Sequence, residues 1–120
     1  MIGFPKEGHL YCDTYLEWVR AQACYFCQRP APSEPHHHPR KGMGNGLTDD
    51  TRTVPVCREC HRRCEGGQIA TASGKKMPIL KADATAAVDA TWRRFFREGP
   101  RAAVSTVIVD LYAWREKRGL

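Results

Sequence analysis

Two Cys-x-x-Cys pairs constrain the fold of this chain more than any other feature of its sequence. The four cysteines are Cys24, Cys27, Cys57 and Cys60. Four thiolates in two such pairs can fill the tetrahedral coordination of one zinc ion. That ion would hold together the ends of the segment 28–56, which contains three consecutive histidines, His36–His38, and would bring them towards His61. The sequence therefore predicts a structural zinc next to a histidine-rich cluster.

The length and charge of the chain limit its architecture and suggest the kind of partner that it binds. At 120 residues, the sequence predicts a single domain over residues 1–120. A domain of this size has a small core, so a structural metal would add useful stability. The net charge of +6 favours an anionic partner such as nucleic acid, although a ribosomal or RNA-binding module would carry a similar charge.

The six cysteines could instead form a disulfide scaffold, as they do in many small secreted proteins. However, the first residues, Met1–Gly8, contain no apolar segment typical of a signal peptide. No run in the sequence approaches the roughly 18 apolar residues of a membrane-spanning helix. We therefore expect a cytoplasmic protein without a membrane partner, in which paired cysteines bind metal rather than form disulfides.

Periodicity and breaker residues predict an α+β fold. The predicted elements, in chain order, are a helix over about 14–22, strands over about 34–38 and 51–56, a helix over about 58–65, a linker over about 66–80, and helices over about 82–98 and 100–117. Asp13 or Thr14 would cap the first helix. Pro55 cannot donate a backbone hydrogen bond, so its strand is expected at a sheet edge. Gly99 would end the first C-terminal helix, and Pro100 suits the first turn of the next.

Apolar residues recur at helical spacing in both C-terminal helices, which form an extension over 81–118. They are Val88, Trp92, Phe95 and Phe96 in the first helix, and Val104, Val107, Ile108, Leu111 and Trp114 in the second. We expect this antiparallel pair to pack on the helix that contains Tyr15 and Val19. Alternatively, these apolar stripes form an interface with a second copy of the chain or with another partner.

His61 and Glu65 stand four residues apart in a predicted helix and therefore share one face. Neutral imidazole and carboxylate groups are both ligands of divalent cations. A lone histidine or a short histidine run often has no metal role, but their joint occurrence between two cysteine pairs favours a second metal site. The remaining cysteines, Cys12 and Cys64, are expected to be partly buried thiols, although Cys64 can also replace one of the paired cysteines.

The segment 14–67 contains a characteristic series of motifs, namely Tyr15-Leu16-Glu17-Trp18-Val19-Arg20, Cys24-x-x-Cys27, Glu34-Pro35-His36-His37, Gly42-Met43-Gly44, Asp50, and Thr53-Val54-Pro55-Val56-Cys57-x-x-Cys60-His61. In these motifs it resembles the HNH endonucleases of the ββα-metal type, particularly small ones encoded by phages and prophages. The resemblance implies a small ββα-metal (treble-clef-like) core, in which a two-stranded hairpin and a helix surround a catalytic divalent ion. A zinc ion on the four cysteines would support this core, and the N-terminal helix and the C-terminal helix pair would flank it.

The resemblance also implies roles for individual residues. His37 is similar to the general base of these enzymes, and His36 and His61 are similar to ligands of the catalytic ion. Asp50 looks like the central asparagine or aspartate, which orients the hairpin loop and holds the base histidine.

Two features leave alternatives open at this site. Glu65 stands where such nucleases often have a histidine, so the third ligand is either Glu65 or a water molecule. The run of three histidines also allows a second register, in which the functional pair is His37 and His38.

The chemistry of phosphodiester hydrolysis agrees with this assignment, because it needs a base of near-neutral pKa and positive charge at the phosphate. Basic residues that can contact phosphates flank the histidines, namely Arg40, Lys41, Arg52, Arg58, Arg62 and Arg63. We therefore expect an enzyme that uses Mg²⁺, Mn²⁺, Ni²⁺ or Zn²⁺ to nick or cut DNA, leaving 5′-phosphate and 3′-hydroxyl ends. The alternatives are a non-catalytic zinc module that binds nucleic acid and a protein–protein adaptor, and the C-terminal helices offer a surface for a homodimer.

Overall fold

A computed structural model describes residues 10–38, 49–66, 69–71 and 74–117. The elements in these ranges are α1 (Asp13–Arg20), β1 (Glu34–His37), β2 (Thr53–Val56), α2 (Arg58–Cys64), β3 (Ile69–Thr71), β4 (Gly74–Lys76), α3 (Lys81–Glu98) and α4 (Arg101–Lys117). The α+β class predicted from the sequence is confirmed, and the order of helices and strands agrees with it outside the segment that contains β3 and β4.

Strand β1 pairs with β2 in an antiparallel hairpin, with Glu34 opposite Val56 and His37 opposite Thr53. Successive side chains of a strand point to opposite faces, so His36 is buried while His37 is partly exposed on the other face. Every residue of β2 is buried. The carbonyl of Pro55 accepts a hydrogen bond of 2.8 Å from the backbone N–H of Tyr25, which fastens the first cysteine pair to β2.

The start of α1 differs from the prediction. Cys12 occupies the N-cap position with no side-chain cap, and Asp13 is already helical, so the prediction that Asp13 or Thr14 caps this helix is wrong. The backbone N–H of Cys12 instead donates a hydrogen bond of 2.7 Å to Asp50 Oδ2. A carboxylate distant in sequence thus fixes the entry to α1, and no local pattern can predict such a contact.

The segment predicted as a linker over 66–80 contains a second small hairpin. Ile69–Thr71 pairs antiparallel with Gly74–Lys76, and Thr71 lies opposite Gly74. Strands of three residues show too few alternations to be recognised from a single sequence. The linker prediction is therefore wrong for these residues.

Two hydrophobic clusters hold the elements together, and α3 contributes to both. The first contains Cys24, Val54, Val56, Cys57, Cys60, Ala87 and Val88, from the cysteine pairs, β2 and α3. The second contains Cys12, Tyr15, Val19, Phe95 and Val107, from the N-cap and length of α1 and from α3 and α4. The predicted packing of the C-terminal helices on α1 is confirmed, while Phe96 and Ile108 from the predicted stripes remain exposed.

Candidate metal centres

The sulfur atoms of the four paired cysteines converge on one point. The ligand atoms of Cys24, Cys27, Cys57 and Cys60 all lie within 4.8 Å of one another. Cys27 Sγ and Cys57 Sγ are 3.6 Å apart, close to the spacing of about 3.8 Å that tetrahedral geometry requires for a metal–sulfur bond of about 2.3 Å. This donor set therefore fits a structural metal ion, and the metal-binding interpretation of the cysteine pairs agrees with the geometry.

The electrostatics of these thiols also favour a cation between them. Burial raises the pKa of Cys24, but backbone N–H donors from Cys27, Cys57 and Phe26 outweigh it and bring that pKa to about 7. Burial and the neighbouring sulfurs raise the pKa of Cys60. One thiolate therefore forms readily, whereas further deprotonation in the same place requires a positive ion to balance the charge.

A second cluster of ligand-type side chains lies between β1 and α2. It consists of His36, His61 and Glu65, whose ligand atoms also lie within 4.8 Å of one another. The ring centroids of His36 and His61 are 5.0 Å apart, and His61 Nε2 lies 3.9 Å from Glu65 Oε2. The structure thus brings together the three residues that the sequence predicted as ligands of a divalent ion. The nitrogen and oxygen donors fit such an ion.

Glu34 orients His61, a role that no sequence pattern predicted. His61 Nδ1 lies 2.8 Å from Glu34 Oε1 and donates to it, which leaves Nε2 directed towards the other ligands. Hydrogen bonding to His61 lowers the pKa of the Glu34 carboxyl, and Arg58 lowers it further. Glu34 and His36 are two residues apart in β1 and share one face, which is the signal that would have identified Glu34.

His37 contacts the residue predicted to hold it. Its Nε2 donates to Asp50 Oδ1 at 3.0 Å. Asp50 is 5% exposed, and its backbone N–H donates to the carbonyl of Leu10 at 3.0 Å. Because Asp50 Oδ2 also accepts the N–H of Cys12, the carboxylate is fixed from two sides and holds the imidazole in one orientation.

A cavity of about 420 Å³ opens beside the His36–His61–Glu65 cluster. Its lining residues are His36, His38, Cys64, Glu65, Gly66, Ile79 and Lys81. His38 shares the face of His36, with ring centroids 6.1 Å apart, and its Nε2 lies 3.0 Å from Thr85 Oγ1 on α3. Burial lowers the pKa of His38, and the charges of Arg52 and Lys81 lower it further. His38, and not His37, therefore faces this cavity.

The basic residues predicted to contact phosphates have different surroundings. Arg52 pairs with Asp89 on α3, and Arg63 donates to the carbonyl of Met77 at 2.7 Å and contacts Cys60 Sγ at 3.7 Å. Arg58 lies 3.6 Å from Glu34 on an exposed surface, and Arg62 is exposed as well. Arg40 and Lys41 lie outside the described residues.

The other two cysteines are free thiols outside the four-sulfur cluster. Cys12 Sγ donates to Asp110 Oδ2 at 3.4 Å, and burial raises the pKa of Cys12 to about 11. Cys64 packs against the cluster formed by the cysteine pairs and β2, and burial raises its pKa to about 11. Thiols with such a raised pKa are poor nucleophiles at neutral pH, so packing contacts account for both residues.

Comparison with known proteins places the chain in a family but does not assign it an activity. No curated protein and no solved structure matches the chain. In the part of the chain that the structure describes, no helix combines the length and apolar character needed to cross a membrane. Residues 1–82 match the family described as "Protein of unknown function (DUF968)". This match covers more than half of the chain and includes both metal-ligand clusters, so the chain belongs to the DUF968 family.

Proposed function

We propose that this protein is a metal-dependent endonuclease of the HNH type that hydrolyses phosphodiester bonds of DNA in the cytoplasm of a bacterial host, encoded by a phage or prophage. The observation that carries the proposal is the second ligand cluster, His36, His61 and Glu65, next to a four-cysteine site. Cys60 and His61 are consecutive in α2, so one helix supplies ligands to both clusters. The hairpin β1–β2 followed by α2 supports a ββα-metal core with zinc on the cysteines.

His37 is proposed as the general base. Its Nε2–H is donated to Asp50, which leaves Nδ1 as the basic nitrogen of the neutral ring. A neutral imidazole in a fixed orientation is suited to accept a proton from the attacking water at near-neutral pH. Asp50 would also stabilise the imidazolium that results from this transfer.

His36, His61 and Glu65 would hold a divalent ion, which would place positive charge at the scissile phosphate and at the departing 3′ oxygen. Glu34 would keep His61 in the tautomer that presents Nε2 to this ion. Expulsion of the 3′ oxygen would leave 5′-phosphate and 3′-hydroxyl ends. Mg²⁺, Mn²⁺, Ni²⁺ and Zn²⁺ are the candidate ions, and Glu65 is the proposed third protein ligand.

The decisive experiment is incubation of the purified protein with supercoiled plasmid and a panel of these ions. Mild chelation should stop cleavage while the fold and DNA binding persist, because the open site has fewer protein ligands than the four-cysteine site. Added Mg²⁺, Mn²⁺ or Ni²⁺ should restore nicked or linear plasmid with the wild type and not with His36→Ala/His61→Ala. His61→Ala should cost more activity than Glu65→Ala, since water can replace a carboxylate ligand more easily than the oriented imidazole.

One outcome would favour a non-catalytic module instead. If no ion yields nicked or linear plasmid while the protein still binds DNA with a steep dependence on salt, the protein binds nucleic acid through its basic surface without cleaving it.

Replacement of Glu34 tests the orientation of His61. Glu34→Gln should weaken Mn²⁺ binding to the His36–His61–Glu65 cluster by roughly 10- to 100-fold, because the amide no longer fixes the imidazole as a charged carboxylate does. Calorimetric titration with Mn²⁺ measures this effect. Glu59→Gln is the matched control, since Glu59 pairs with Arg29 at the surface and should leave Mn²⁺ affinity unchanged. Equal Mn²⁺ affinity in Glu34→Gln and wild type would contradict the proposed role.

A homodimer through α4 is part of the proposal. Val109 and Tyr112 are 65% and 67% exposed on this helix, and they supply apolar surface for a second copy. Sedimentation of the wild type beside Val109→Asp/Tyr112→Asp tests it, and a monomeric wild type at micromolar concentration would refute the dimer.

A further inference from the structure

The start of α3 forms one wall of the cavity beside the second ligand cluster. Lys81, the first residue of α3, lines this cavity together with His36, His38 and Glu65. Among the described residues that line it, Lys81 is the one with a permanent positive charge. The cavity volume of about 420 Å³ lies in the range typical of ligand-binding sites in proteins.

Contacts along α3 fix the position of Lys81. The carbonyl of Lys81 accepts a hydrogen bond of 3.0 Å from Thr85 Oγ1, and the same hydroxyl contacts His38 Nε2. One turn further along, Asp89 pairs with Arg52. Ala87 and Val88 are buried in the same cluster as Val54 and Val56 of β2. Helix α3 is therefore held against the hairpin that carries the histidines, and the hydroxyl of Thr85 links the backbone of Lys81 to His38.

Two of the arginines near the hairpin are held by other groups of the protein. Arg52 is engaged with Asp89, and Arg63 donates to Met77 and contacts Cys60. A divalent ion on two neutral imidazoles and one carboxylate has a net charge of only +1, which one phosphodiester neutralises. A DNA strand carries further phosphates on either side of the scissile phosphate. A lysine ammonium is a suitable point charge for one of them.

We propose that Lys81 binds a backbone phosphate of the cleaved DNA strand, so that α3 completes the substrate site of the endonuclease. This inference rests on the proposed function and deepens it. Lys81 lies just inside the matched family region, which ends at residue 82, whereas most of α3, including Thr85 and Asp89, lies beyond it. In this chain, α3 thus contributes to substrate binding as well as to the core.

The test compares Lys81→Gln, Lys81→Arg and the matched control Lys117→Gln. Lys117→Gln removes one positive charge, as Lys81→Gln does. Lys117 is exposed near the end of α4 and does not line the cavity, so this variant controls for the change in net charge alone. Binding to closed circular plasmid, which has no terminal phosphates, is measured without added divalent ions over a series of salt concentrations. Lys81→Gln should reduce the slope of log affinity against log salt by about 0.9, as expected for one lost phosphate contact. Lys81→Arg and Lys117→Gln should retain the wild-type slope.

Two further measurements separate this inference from the proposed activity. Mn²⁺ affinity should be the same in Lys81→Gln and wild type, because Lys81 contacts the phosphate and not the ion. The KM for plasmid cleavage should rise several-fold in Lys81→Gln. Suppose that the wild type cleaves DNA. If Lys81→Gln then binds with the wild-type salt slope, or if Lys117→Gln reduces that slope as much as Lys81→Gln does, the inference is overturned and the endonuclease remains. If the wild type cleaves no DNA but Lys81→Gln alone loses the phosphate contact, the activity fails and the phosphate site remains.

Discussion

Replacement of Cys57 with serine is expected to release the structural metal and unfold the protein. Binding of zinc by four thiolates contributes on the order of 10 kcal/mol to folding, and domains of this size are stable by only about 5–15 kcal/mol. Cys57 Sγ also accepts the backbone N–H of Cys60 at 3.4 Å, which links the ligand to the first turn of α2. The measurements are elemental analysis of the purified protein and thermal unfolding followed by circular dichroism.

Cys64→Ser is the matched control for this experiment. Cys64 is the last residue of α2, the helix that Cys57 caps, and it is partly buried, but it is not a member of the four-sulfur cluster. We expect Cys64→Ser to retain one zinc per chain and to remain folded. A soluble, folded wild-type preparation without stoichiometric zinc would contradict the proposed site, and so would a folded Cys57→Ser variant with unchanged stability.

Replacement of His37 with alanine is expected to lower the rate of DNA cleavage by roughly 10²- to 10⁴-fold, the usual contribution of a general base. DNA affinity should change little, because the imidazole acts mainly in the transition state. Single-turnover cleavage of a plasmid, with binding measured in parallel, separates the two effects.

His38→Ala is the informative control, because strand alternation places His38 and His36 on the face that borders the cavity, whereas His37 contacts Asp50. His38→Ala should lower the cleavage rate much less than His37→Ala does, although it can weaken DNA binding because His38 lines the cavity beside Lys81. An inactive His38→Ala variant together with an active His37→Ala variant would show that the general base is His38, the residue that follows β1.

The features that the sequence predicted well depend on spacing within one element, on breaker residues, or on the ligand chemistry of metals, which joins the two cysteine pairs and links His36 with His61. The interval between Cys24 and Cys27, and the same interval after Cys57, requires only a tight turn to bring each sulfur pair together. His61 and Glu65 share a face because a helix has 3.6 residues per turn. Gly99 ends α3 as predicted, since helix termination is also encoded locally.

The tertiary structure decided the other contacts that join two elements. Glu34 reaches His61 only because β1 lies against α2, and Asp50 reaches both His37 and Cys12 only when the hairpin lies beside the start of α1. Lys81 lines the cavity because α3 packs on β2. The spacing of residues in one chain does not specify such contacts, because they depend on how side-chain volumes fit when separate elements bury their apolar faces together.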